Sequence, residues 1–111
     1  MKFLDTNIFL RYLTRDDAQK AAACYALFQR VKQGQETLLT SETVIAEVIY
    51  VLSSPAHYNL SHEEIGTRLH PLLTLRGLKF PKKKACLKAL ALYAQQPTID
   101  FEDVLSVAHM E

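Results

Sequence analysis

Cysteine is scarce in this chain: Cys24 and Cys86 are its only two. Both fall in stretches rich in Ala and Leu with helical character, and neither belongs to a Cys-x-x-Cys or Cys/His cluster. That pattern argues against zinc and for buried free thiols. A chain of 111 residues buries roughly two thirds of the surface its unfolded form exposes, so it needs no disulfide staple. An excess of charge of one sign is also missing, since 13 basic residues oppose 12 acidic ones for a net charge of +1. No overall basic field advertises nucleic acid, and such a partner would have to be met by a local patch. Long apolar runs are absent, and none approaches the ~20 residues of a spanning helix, so no membrane partner is expected. The start, Lys2-Phe3-Leu4-Asp5, carries neither an apolar leader nor a cleavage-like site. Without repeats or low-complexity segments, the chain reads as one soluble, cytoplasmic domain over residues 1–111.

What is present is an alternation of short apolar strands with amphipathic helices. Phe3-Leu4 make a brief strand ending at Asp5, and a first helix is expected over about 7–14. Asp16-Asp17 read as the cap of a longer helix that closes near Gly34. A strand near Thr37–Thr40 follows, and Ser41 can cap a helix with apolar positions Val44, Ile45, Val48, Val51 and Leu52. Ser61 and Glu64 form a capping-box pattern, and Pro71 should bend or end that fourth helix early. A strand at Leu78–Phe80, a helix over about 82–95, and a last helix capped by Asp100 complete the series. The expected fold class is α/β, a parallel sheet covered by helices.

Three acids stand out by position. Asp5 sits where the first strand meets the first helix, the strand end at which α/β sheets gather ligands, though it can also serve as a helix cap. Glu47 lies on the border of the apolar stripe of its helix. No basic residue stands three or four positions away, so it is either a site carboxylate or a rim charge turned to water. In the last helix Glu102, Ser106 and His109 make a solvated face, whereas Asp103 falls between Val107 and Met110 on the apolar side, with Asp100 nearby. Capping explains Asp100 and part of Asp103; burial of an uncompensated carboxylate is costly. Brought together, such acids would repel by about 4 kcal/mol per pair at 4 Å and an effective dielectric near 20. A cluster of this kind persists only with protons or cations, and hard oxygen ligands favour Mg2+ or Mn2+. Metal-assisted hydrolysis is the chemistry that follows.

The segment Leu4-Asp5-Thr6-Asn7-Ile8-Phe9-Leu10-Arg11-Tyr12-Leu13 closely resembles the opening of PIN domains, above all the VapC toxins of toxin–antitoxin pairs. Thr43-Val44-Ile45-Ala46-Glu47-Val48 and Asp100-Phe101-Glu102-Asp103-Val104-Leu105 resemble the segments carrying their second and third acids, in the same order and spacing. The resemblance implies a PIN-like α/β/α three-layer sandwich and metal-dependent cleavage of RNA with Mg2+ or Mn2+. It also implies inhibition by a VapB-like antitoxin, and a homodimer. Carried over residue by residue, it makes Asp5, Glu47 and Asp103 the catalytic acids and metal ligands, with Asp100 a further candidate and Asn7 and Thr6 in support. Family members continue into a fourth strand with a Thr-x-Asp-like segment, which is not found before Glu111. The domain therefore reads as C-terminally short, with the Asp5 strand as an exposed edge.

Of the basic residues, Arg11 and Arg15 lie near the proposed site, Arg11 one helical turn past Asn7, and are the candidates for RNA phosphate contacts. The run Lys79, Lys82, Lys83, Lys84 and Lys88 reads as a solvated helix face. The four histidines share no spacing, and the tyrosines show no stacking platform in the sequence.

Overall fold

Side-chain caps explain where the first four helices begin. In the computed structural model, which describes residues 2–110, the carboxylates of Asp5 and Asp17 accept from the amides of Ile8 and Lys20, each at 3.1 Å. The hydroxyls of Ser41 and Ser61 accept from Val44 at 3.2 Å and Glu64 at 3.1 Å. Each cap satisfies an amide that the first helical turn leaves unpaired. The elements run β1 (Lys2–Phe3), α1 (Thr6–Thr14), α2 (Ala18–Lys32), β2 (Leu38–Leu39), α3 (Glu42–Ser53) and α4 (His62–Leu73). β3 (Leu78–Lys79), α5 (Lys83–Gln95) and α6 (Phe101–Met110) follow. This is the expected α/β class. The boundaries differ from the sequence reading by a residue or two, except at Pro71, where α4 continues to Leu73. Burial of Leu72 and Leu73 carries the helix past a residue that cannot donate its own backbone bond.

The three strands form a parallel sheet in the order β1-β2-β3, in register Phe3 to Leu39 to Lys79. Parallel neighbours require crossover connections, which α1–α2 and α3–α4 supply. Strand side chains alternate between faces. Leu4, Leu38, Thr40, Leu78 and Phe80 are all buried, while Phe3 is 59 % and Leu39 38 % exposed. β1 lies at the edge of the sheet, as the sequence led one to expect. The core is one cluster running from Leu4 and Phe9 through Ile45, Val48, Ile65 and Leu69 to Leu90, Phe101 and Val104. Cys24 and Cys86 are free and buried in it or beside it.

α5 begins without a side-chain cap, because Lys82 adopts a left-handed conformation at φ 58°. Lys83 ties this entry down instead. Its Nζ donates to the carbonyls of Leu75 at 2.6 Å and Leu78 at 2.7 Å. One member of the lysine run is thus turned inward, whereas the sequence placed all of them in solvent.

Candidate functional site

β1 and β2 end together. The Leu4 amide donates to the Leu39 carbonyl at 2.7 Å, and the Thr40 hydroxyl donates to the Leu4 carbonyl at 3.1 Å. Asp5 and Ser41 therefore leave the same edge of the sheet, the edge where α/β folds hold their ligands. Asp5 caps α1 and is exposed; Thr6 opens that helix half-buried, and Asn7 is exposed beside it. Ser41 opens α3, which carries Glu42 in its first turn and the exposed Glu47 beyond it.

α6 lies along α3. His109 Nε2 stands 2.7 Å from Glu42 Oε2, which fixes the late part of α6 to the first turn of α3. Between the two helices lies a cleft of about 530 Å³ bordered by Glu42, Glu47 and Tyr50 from α3 and by Glu102 and Leu105 from α6. It adjoins a second cleft of about 380 Å³ that shares Tyr50 and Glu102 and reaches His62, Tyr93 and Asp100. There the His62 ring stacks on Tyr93 at 3.8 Å between centroids, and its Nε2 is 3.0 Å from the Ile99 carbonyl. Burial, with a smaller contribution from the Asp100 charge, holds the Tyr93 hydroxyl above its ordinary range despite a hydrogen bond from Ser53.

The structure therefore sorts the acids of α6 differently from the sequence. Its buried stripe is Phe101, Val104 and Ala108, so the Glu102–Leu105–His109 strip faces α3. Asp103 is exposed, and its apolar neighbours in the sequence reading, Val107 and Met110, are 51 % and 86 % exposed. Val107 and Met110 are apolar by composition, but the large Phe101 ring and the His109–Glu42 pair set the rotation of the helix. Glu102 and Glu42 are cleft acids that the sequence reading missed. The signal was an acid and a histidine seven positions apart on one helix strip, with a glutamate in the first turn of a facing helix. Among the described residues no group of three or more His, Cys, Asp or Glu side chains could hold a metal ion. Asp5, Glu47 and Asp103 are thus not gathered into such a group.

The family model of the PIN domain matches residues 2–111. The chain belongs to the PIN domain family. No curated protein and no solved structure matches it. PIN domains are generally metal-dependent nucleases, which sets the activity class as hydrolysis of nucleic acid. In this PIN domain the acids Asp5 and Glu47 come from elements that leave one end of the sheet, Glu102 comes from α6 beside α3, and Asp100 immediately precedes that helix. No helix among the described residues is long and apolar enough to cross a membrane.

Proposed function

We propose that this PIN domain is an endoribonuclease of the VapC toxin type, hydrolysing RNA phosphodiester bonds in the cytoplasm. In this reading a VapB-like antitoxin holds it in check, Mg2+ or Mn2+ is its cofactor, and it works as a homodimer. The observation that carries the reading is the family match across residues 2–111, within which three acid-bearing segments stand in order. Asp5, Glu47 and Asp103 are the proposed catalytic acids, with Asp100 as a further acid and Asn7 and Thr6 in support. Arg11 and Arg15 are the proposed phosphate contacts. An exposed carboxylate such as Glu47 can take a proton from a water attacking phosphorus.

The test is Asp5→Asn. Asparagine keeps an oxygen that can accept from the Ile8 amide, so the cap persists while the charge is lost. Cleavage of total cellular RNA in Mn2+ should fall at least a hundredfold, with the circular dichroism spectrum unchanged. Wild-type cleavage by the variant in the same metal would sink the proposal. One observation favours a second reading, a PIN module that binds RNA or an antitoxin without cutting: among the described residues the three acids do not form a group that could hold a metal ion. Under that reading the wild-type chain binds a partner yet cleaves no RNA at any metal concentration.

A further inference from the structure

The groove between α1 and α2 lies outside the acid clefts and has a different chemistry. It encloses about 430 Å³ and is floored by Ala18, Ala21 and Ala22 of α2, with Tyr12, Tyr25 and Arg15 around it. The Tyr12 and Tyr25 rings are nearly parallel, 16° apart with centroids 6.3 Å from each other. Tyr12 is held from behind by Phe28, at 4.8 Å between centroids, so it forms a fixed inner wall. Tyr25 is 49 % exposed and offers a ring to solvent.

The groove is also cationic at its rim. Arg15 closes α1 in a left-handed conformation at φ 57°, its amide bonded to the Arg11 carbonyl. Neither Arg11 nor Arg15 makes an ion pair among the described residues. Arg11 reaches toward α2 closely enough for its charge to be felt at Cys24, whose thiol is raised mainly by burial. Two acids follow Arg15 in sequence, and both carboxylates have partners. Asp16 accepts from the Tyr58 hydroxyl, and Asp17 caps α2.

From this juxtaposition we infer that the α1–α2 groove is a stacking subsite for one unpaired base of a single-stranded RNA, with Arg15 on the adjoining phosphate. An aromatic ring beside an unpaired guanidinium is the combination that holds single strands, because every base has a face to stack and a phosphate to neutralise. A duplex would hide its base faces. The alanine floor accepts a flat ring and offers no polar side chain to read its edge, so the subsite tolerates any base but requires one. Arg15 and Asp5 stand beyond opposite ends of α1, whose nine residues span about 13 Å. The stacked base thus lies a short reach of strand from the acid that begins that helix. The inference rests on the ribonuclease reading for its ligand, and its test is separable from it.

The probe is a fluorescein-labelled single-stranded oligoribonucleotide, titrated by anisotropy against the Asp5→Asn chain. Tyr25→Ala and Arg15→Ala should each weaken binding roughly tenfold, Tyr25→Phe should bind as the parent, and Tyr25→Leu should behave as Tyr25→Ala. Arg15→Ala should also lower the salt slope by about one phosphate contact. A probe with one abasic position should lose affinity for the parent and not for Tyr25→Ala. Unchanged melting temperatures establish that the variants fold. RNA binding that is indifferent to Tyr25 and Arg15 overturns the inference and leaves the groove to a protein segment, while wild-type cleavage still stands on its own. Binding that needs both residues in a chain that never cleaves upholds the subsite and overturns the nuclease reading. A chain with no affinity for RNA overturns both.

Discussion

Cys86 is completely buried, and burial, helped by the nearby Glu42 charge, pushes its thiol up to about 12 from an ordinary 9.0. The unfolded chain releases this proton at a lower pH than the folded one. Its contribution is therefore intact below about pH 9 and is lost as pH climbs toward about 12. Urea titrations across that window should show stability falling by on the order of a few kcal/mol, and Cys86→Ala should flatten part of the decline. Tyr58 and Tyr93 are raised as well, so the difference between the two proteins, not the wild-type curve alone, isolates the thiol. Lys83 shows a different use of burial. Burial first, and the Lys79 charge second, hold its ammonium below its usual range, while it donates to the Leu75 and Leu78 carbonyls. Lys83→Met should cost about 1–3 kcal/mol by denaturant unfolding, because two carbonyls lose their donor. Nothing in a run of lysines distinguishes the one that folds inward. That choice is made by the left-handed turn at Lys82, which only the folded backbone reveals.

At the scale of elements, α4 and α5 approach so closely that a Cβ on Gly66 would lie 2.7 Å from the Cβ of Ala94. Gly66→Ala should cost about 1–3 kcal/mol through overpacking. Adding Ala94→Gly should return most of that loss, since the two positions share one contact; thermal melts of the four proteins measure it. The start of each early helix was legible in the sequence because Asp5, Asp17, Ser41 and Ser61 are local signals whose partners lie three residues on. Pro71 misled because propensity is local and the packing of Leu72 and Leu73 is not. α6 misled for a related reason. Hydropathy ranks Val107 and Met110 above Glu102, yet the contact of His109 with Glu42 spans 67 residues and no window along the chain contains it. The tyrosines were equally opaque: Tyr12 and Tyr25 meet only because α1 and α2 pack side by side.

Over the whole molecule, the α/β class and the place of Asp5 at the end of the first strand followed from strand and helix alternation. The joining of elements across the sheet did not. Thr40 is the one buried polar side chain among the described residues, and its hydroxyl bridges two strands whose sequence positions differ by 36. Together with the Leu4 amide bond to the Leu39 carbonyl, it ties the Asp5 corner to the entry to α3. Thr40→Val preserves shape but leaves the Leu4 carbonyl without this donor, so stability should drop by only about 1–2 kcal/mol. Under the nuclease reading, RNA cleavage should fall by tenfold or more; a kinetic assay beside a melting curve reads both. A hydroxyl group that never touches substrate would then govern the turnover number, and damage to it would pass unnoticed in any survey confined to acidic side chains.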